Sequence, residues 1–272
     1  MNISLKINEA FDYLRNKTKY KPTIGIVLGT GLGELANEVK EAEYYDFKDI
    51  PNFITPTVEG HEGKLVIGKL KKKDVVIMQG RLHYYEGNAM NKITLPIRVM
   101  KLLGVKTLIL TNCAGQTTPT IVPGDIVLLK DHINLSGNNP LIGKNLNEFG
   151  PRFPDMSNAY DKDLRKKIKT IADSLNINLK EGVYAMFSGP NYESIAETKM
   201  AGILGADVVG MSTLPEVIVA NHCGMKVAAF STIVSMAAAF SDEELSHEDI
   251  LNSFNDILKK CILIIKHLVE DL

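Results

Sequence analysis

Met78-Gln79-Gly80-Arg81-Leu82-His83-Tyr84-Tyr85-Glu86-Gly87 is the stretch on which the reading of this chain turns. It continues the run Asp74 to Met78, which reads as a short buried strand, and Gly80 breaks that strand. Arg81 and His83 then stand just past a strand's carboxyl end, where open α/β sheets bind ligands. A guanidinium offers a planar fork of donors suited to phosphate, and an imidazole adds one more hydrogen bond. With an aromatic ring beside them, the grouping suggests an anion next to a sugar. The plainer alternative is a surface arginine and a satisfied core histidine, and the rest of the chain decides between the two.

Working outward, short β-rich runs alternate with helical patterns. Thr23 to Leu28, Leu65 to Ile67, Val75 to Met78, Thr107 to Leu110, Ile126 to Leu129, Val183 to Phe187 and Val227 to Phe230 read as strands. Several are apolar throughout, as strands covered on both faces are, and the segments between them supply the covers. Those segments are Leu95 to Leu103, bounded by Pro96 and Gly104, then Asp161 to Leu175, Glu193 to Leu204, Leu214 to His222 and His247 to Leu268. The class is α/β, and 272 residues fit one domain over positions 1–272. The segment Ser136 to Asn158 is rich in Gly, Asn and Pro, and a loop of that length is usually functional or held by a neighbour, so it is expected to reach another subunit.

A hydrophobic content of 45% and a formal net charge of -1 give no electrostatic bias toward nucleic acid or membrane, so a small-molecule partner is expected. No apolar stretch reaches the roughly 18 residues of a spanning helix, and Met1 to Ala10 lacks the order of a signal peptide, which points to the cytoplasm. Cys113, Cys223 and Cys261 are odd in number and without metal-ligand spacing, so reduced thiols and no metal site are expected.

Four further clusters fall at strand ends. Gly29-Thr30-Gly31-Leu32-Gly33 follows the first strand, so its backbone N–H groups and the Thr30 hydroxyl can cradle an anion. Glu34 and the missing Gly-Lys-Ser/Thr exclude dinucleotide and P-loop fingerprints. Thr111-Asn112-Cys113-Ala114-Gly115 brings small residues and backbone donors to a second strand end, and Cys113 lacks the basic neighbour a nucleophile needs. Ser188 to Glu193 offers the Tyr192 ring and the Glu193 carboxylate to a flat heterocycle, although Glu193 also suits the first turn of a helix. Gly210-Met211-Ser212-Thr213 adds a hydroxyl and a flexible apolar side chain, while Gly60-His61-Glu62-Gly63 places a second imidazole on a loop able to close.

In this order, together with Asp131 to Leu135 and Gly150-Pro151-Arg152-Phe153-Pro154, these clusters resemble the purine nucleoside phosphorylase family, the trimeric kind that acts on inosine and guanosine. The likeness covers nearly the whole chain. It implies a central mixed sheet, partly closed into a barrel and surrounded by helices, in a homotrimer with sites near the subunit boundaries. By position it implies a phosphate site of Thr30, His61, Arg81, His83, the N–H of Cys113 and Ser212. It implies sugar contacts from Tyr85, Met211 and His247, with Phe153 arriving from the adjacent subunit, and base contacts from Tyr192 and Glu193. The implied catalytic set is His83, Glu193 and Ser235. Phosphate is then a co-substrate, and neither cofactor nor metal is needed. His132 and His222 are expected to be structural and His267 to lie on a helix surface.

The chain departs from that family in Phe230-Ser231-Thr232-Ile233-Val234-Ser235-Met236, where Ser235 replaces an asparagine over the purine's O6 and N7 edge. A hydroxyl makes fewer simultaneous bonds than an amide. Two alternatives therefore stand beside the main reading: altered base choice, for adenosine or methylthioadenosine, and a nucleoside-binding protein without turnover.

Overall fold

The computed structural model describes residues 2–58, 60–236 and 247–272, with the side chains of 235–236 and 247–253 outside that description. Nine strands run in the order β1 Ile24–Leu28, β2 Lys40–Asp46, β3 Lys64–Leu70, β4 Lys73–Gln79, β5 Thr107–Gln116, β6 Ile126–Asn134, β7 Leu179–Met186, β8 Val208–Gly210 and β9 Lys226–Met236. The α-helices are α1 Ile3–Arg15, α2 Glu34–Asn37, α3 Met90–Ile93, α4 Leu95–Leu103, α5 Lys162–Ser174, α6 Ile195–Ile203, α7 Leu214–His222 and α8 His247–Asp271.

The strands form one mixed sheet in the order β2-β3-β4-β1-β5-β8-β7-β6-β9, and an added β5–β9 pairing closes the last five strands into a barrel. β1 runs parallel to both β4 and β5, while β5 is parallel to β9 and antiparallel to β8. Parallel neighbours carry the carboxyl ends of β1, β4, β5 and β9 to one edge. All five residues of β1 are buried, and so are Val75 to Met78 of β4, which is why both read as unbroken apolar runs. The expected α/β class, mixed sheet and partial barrel are what the chain adopts.

The differences from expectation have physical causes. β5 continues past Leu110 through Thr111, Asn112, Cys113, Ala114 and Gly115, because parallel pairing with β9 extends to Gln116 opposite Met236. Polar residues are therefore carried inside a strand. β2 was not expected from the sequence: as the outermost strand against β3 it keeps only half its surface covered and reads polar. α1 was also not expected. It is amphipathic, with Ile7, Ala10 and Leu14 buried and the Asn2 side chain accepting the Ser4 N–H at 3.1 Å.

Residues 135–161 contain neither helix nor strand. The segment is held within its own chain: the Arg152 guanidinium donates to the carbonyls of Leu141 and Gly143 at 3.1 and 3.0 Å, and Asn145 donates to the Gly150 carbonyl at 3.0 Å. His222 donates from Nε2 to Asn145 at 3.1 Å and accepts from Arg98 at Nδ1, a structural role as expected. His132 is likewise structural, with Nδ1 3.1 Å from the buried Tyr160 hydroxyl. His267 is half-buried within α8.

Candidate active site

The strand ends and the loops that follow them enclose a cavity of about 520 Å³. Thr30, His61, Arg81, His83, Tyr85, Cys113, Tyr192, Glu193, Met211 and Ser212 all line it, together with Asn112 and Val234. Most of the expected site residues, drawn from six stretches of sequence, thus meet in one place. Phe153 does not line it in its own chain and is 87% exposed on the 135–161 segment. Ser235 occupies β9 opposite Gly115 of β5, beside the cavity-lining Val234, and α8 begins at His247; the side chains of Ser235 and His247 lie outside the described residues.

Two glycines make the close approach possible. A Cβ on Gly29 would stand 2.7 Å from the Thr111 carbonyl, so only glycine lets the β1 turn reach β5, where its N–H donates to the Thr111 hydroxyl at 2.8 Å. Gly80 has a φ of +108°, a left-handed conformation that lets the chain leave β4 and present Arg81 inward.

Arg81 is 1% exposed, and two of its three guanidinium nitrogens have partners. Nε donates to Glu216 of α7 at 2.9 Å, and Nη1 donates to the Thr111 carbonyl at 2.8 Å and the Ser212 hydroxyl at 3.1 Å. Nη2 is buried without a partner. An unpaired guanidinium N–H is expensive to bury, so its presence in a cavity wall marks a place for an acceptor.

His61 is pinned to the same residue, since the Arg81 backbone N–H donates to its Nδ1 at 3.0 Å. That bond fixes the tautomer: Nδ1 accepts, so Nε2 carries the proton, and Nε2 is buried without a partner. Burial, and then the Arg81 charge, lower the His61 pKa to about 4, so the ring is neutral at pH 7. In the described conformation the expected closing loop is already docked on β4, with the Gly63 N–H donating to the Gln79 carbonyl at 3.0 Å.

His83 stacks on Tyr85 with centroids 4.7 Å apart and meets His61 edge-on at 5.1 Å. Its Nδ1 lies 3.3 Å from the Glu86 carboxylate, which can only accept, so Nδ1 bears the proton and Nε2 titrates. Burial, Arg81 and His61 lower the His83 pKa to about 4 against the opposing pull of Glu86. Burial works to raise the Glu86 carboxyl, but bonds from the Thr57 hydroxyl and N–H and the His83 N–H outweigh it and hold it below the usual range.

Glu193 is not a first-turn helix residue. α6 starts at Ile195 with Ser194 as its cap and Glu197 completing the capping box, so Glu193 is left to the cavity. It is 9% exposed, its Oε1 has no partner, and burial raises its pKa. The Cys113 thiol is raised by burial as well and donates weakly to the Thr30 carbonyl, which agrees with a backbone role and not with a nucleophile.

Three contributors carried no assigned role in the sequence reading. Glu216 is a lone acid in the apolar run Leu214 to His222, a pattern that signals a buried cationic partner. Tyr184 points its hydroxyl at the Ser212 N–H at 3.1 Å from inside β7, and Asn112 donates from Nδ2 to the Thr213 hydroxyl at 2.8 Å. Among the described residues no group of three or more His, Cys, Asp or Glu side chains could hold a metal ion, and no helix is long and apolar enough to cross a membrane.

The fold and cavity define a class. The family model described as the phosphorylase superfamily matches residues 23–270. Purine nucleoside phosphorylase 1 of Geobacillus stearothermophilus is 47% identical over 98% of this chain and 97% of its own. The crystal structure of isoform 2 of purine nucleoside phosphorylase from Schistosoma mansoni, with cytosine and ribose-1-phosphate, is similar at a TM-score of 0.93 and 45% identity over 98% of this chain and 96% of that one. The Schistosoma mansoni purine nucleoside phosphorylase complexed with inosine gives a TM-score of 0.92 at 41% identity over the same shares. This chain belongs to the phosphorylase superfamily and, within it, to the purine nucleoside phosphorylases, enzymes of the pentosyltransferase class.

Proposed function

We propose that the chain carries out phosphorolysis of purine ribo- and deoxyribonucleosides, favouring inosine and guanosine, and releases free base and α-(deoxy)ribose 1-phosphate. One observation carries this reading. A single cavity holds unpartnered N–H donors, Arg81 Nη2 and His61 Nε2–H, and an unpartnered buried carboxylate oxygen, Glu193 Oε1, that do not bond to each other. Donors suit a phosphate, and a carboxylate suits the N1–H of a 6-oxopurine.

In this reading phosphate lies among Thr30, His61, Arg81, His83, the Cys113 N–H and Ser212. The sugar meets Tyr85, Met211 and His247, with Phe153 supplied by the adjacent subunit of a homotrimer, and the base lies against Tyr192, Glu193 and Ser235. A phosphate oxygen attacks C1′ as the C1′–N9 bond breaks, and that bond's electron pair leaves on the purine. The dianion opposes the positive charge developing on the sugar, so attack from the α face inverts C1′ without a covalent enzyme intermediate. His83 answers the dianion by taking up a proton at Nε2, backed by Glu86, and becomes a second donor. The leaving base takes a proton at N7 from solvent water, with Ser235 at its edge. Phosphate is the co-substrate, no cofactor takes part, the chain acts as one domain over residues 1–272, and its setting is the cytoplasm.

A second reading rests on two observations. Ser235 stands in place of the family's amide, and burial shifts Glu193 toward its neutral form, the form that suits the unprotonated N1 of adenine. Release of free base from inosine, guanosine and adenosine, each with and without phosphate, separates the readings. Phosphate-dependent turnover of inosine and guanosine with little from adenosine is expected. Adenosine turnover at the inosine rate overturns the preference, and no phosphate-dependent turnover overturns the proposal.

A further inference from the structure

Thr213, between β8 and α7, has φ 70° and ψ -49°, a region a β-branched residue rarely adopts. The Leu214 N–H donates to the Ser212 carbonyl at 2.7 Å, two residues back, which makes Ser212-Thr213-Leu214 a γ-turn of the strained, positive-φ form. Such a conformation persists only where surrounding contacts over-determine it. Thr213 is fully buried, its carbonyl accepts the Val217 N–H at 3.0 Å, and its hydroxyl accepts from Asn112 Nδ2 at 2.8 Å.

We propose that Asn112 and Thr213 are positioning residues, whose side-chain hydrogen bond holds this strained turn and thereby sets the Ser212 hydroxyl beside the Arg81 guanidinium to receive phosphate. The inference rests on the phosphate site proposed above. The geometry supports it from both sides of the turn. β8 ends at Gly210, and Pro215 fixes the first turn of α7, so the chain must reverse within Met211 to Thr213. Two of those residues, Met211 and Ser212, face the cavity. The Ser212 N–H is held by the Tyr184 hydroxyl at 3.1 Å, and its Oγ accepts from Arg81 Nη1 at 3.1 Å. Asn112 reaches the turn from β5, and its Oδ1 is buried without a partner. An apolar side chain of the same size would avoid that orphan, so what the amide contributes here is the bond to Thr213. Without that bond the turn is free to relax toward ordinary dihedrals, and Ser212 rotates away from Arg81.

The test uses full-length Asn112→Ala, Thr213→Val, Thr213→Ser and the double variant Asn112→Ala/Thr213→Val. KM for phosphate and for inosine are measured with each, alongside calorimetric binding of inorganic phosphate. Thr213→Val keeps the shape and loses the acceptor; Thr213→Ser keeps the acceptor. The expected result is a rise of about tenfold or more in KM and Kd for phosphate in Asn112→Ala and Thr213→Val, with KM for inosine changed less than about threefold. The double variant is expected to match the worse single, as coupled partners do, and Thr213→Ser to recover most of the affinity. Phosphate constants within about twofold of wild type in both singles overturn the proposal. So do effects that multiply in the double variant, or KM values for both substrates that rise together with falling melting temperature. If Asn112→Ala does not fold, Thr213→Val against Thr213→Ser carries the same test. If the wild type shows no phosphate-dependent turnover, the functional reading fails, and phosphate binding by calorimetry still decides the positioning role.

Discussion

Replacing Glu216 with Gln removes one charge from the pair that holds the proposed phosphate arginine, and its consequences can be worked from the geometry. Glu216 Oε1 sits 2.9 Å from Arg81 Nε, with side chains 6% and 1% exposed. Breaking a buried pair by neutralising one member costs about 3–5 kcal/mol, because the remaining charge is left without compensation. Glutamine keeps an acceptor for Nε, and the Thr111 carbonyl still accepts from Nη1, so the lower figure of about 3 kcal/mol applies. For a chain of this size each kcal/mol moves the melting temperature about 2–4 °C, which predicts a fall of about 6–12 °C without phosphate. Phosphate then becomes the only counter-ion of Arg81. Saturation at about 100 times Kd stabilises a protein by about 2.7 kcal/mol, and the variant should gain at least as much as the wild type. Calorimetric melts at pH 7 with and without inorganic phosphate measure both quantities. A variant melting within about 2 °C of wild type without phosphate would refute the reasoning. A smaller rise with phosphate in the variant than in the wild type would refute the link between Arg81 and the anion.

Other outcomes follow from the same geometry. Glu193→Gln exchanges a charge-assisted acceptor for a neutral one, a loss of about 1–1.5 kcal/mol, so kcat/KM for inosine should fall about 5- to 10-fold while that for adenosine holds or improves. An equal fall for both nucleosides would remove Glu193 from base selection. His61 and His83 have folded pKa values of about 4, with burial the largest cause, against 6.5 in the open chain. The stability that comes from burying them neutral is complete above pH 6.5 and is lost as pH falls from 6.5 toward 4. Bound dianion favours the imidazolium, so melting temperature should drop less steeply across that window in saturating phosphate; parallel curves would count against either histidine meeting the anion. Phe153→Ala and Glu193→Ala, each weakly active alone, should regain activity when unfolded and refolded together. In the proposed homotrimer, mixed assemblies would set an intact Phe153 against an intact Glu193, and a mixture no better than its parents would exclude a shared site.

The fold was legible in the sequence where burial is two-sided. β1 and β4 are apolar throughout because both faces are covered, and α4 declares its ends through Pro96 and Gly104. β2 was hidden by its polar, half-covered position, and the far half of β5 was hidden because its residues serve the cavity and not the core. Thr30, Arg81 and Ser212 were legible because each comes just after a strand, β1, β4 or β8, and a turn at a strand end is visible in the sequence. What no local pattern could show is who holds whom. Glu216 lies 135 residues from Arg81, and Asn112 lies 101 from Thr213, yet those two contacts fix the guanidinium and the serine.

Those contacts also bear on what kind of anion site is proposed. Arg81 is neutralised by Glu216 before any ligand arrives, and with pKa values of about 4 neither His61 nor His83 carries charge at pH 7. The proposed site is therefore not a pool of positive charge that would attract any anion at long range. Its attraction lies in N–H groups already aimed and already buried: Nη2 of Arg81 because its neighbours Nε and Nη1 are tied, and Nε2 of His61 because its Nδ1 is tied. A dianion that fits those donors is held by direction, and the charge it brings draws a proton onto His83 only once it is in place. In the proposed reaction the same arrangement favours turnover: a phosphoryl group that has become part of the sugar phosphate would leave a site whose own charges are already balanced, so release would not strand an uncompensated arginine in the protein interior.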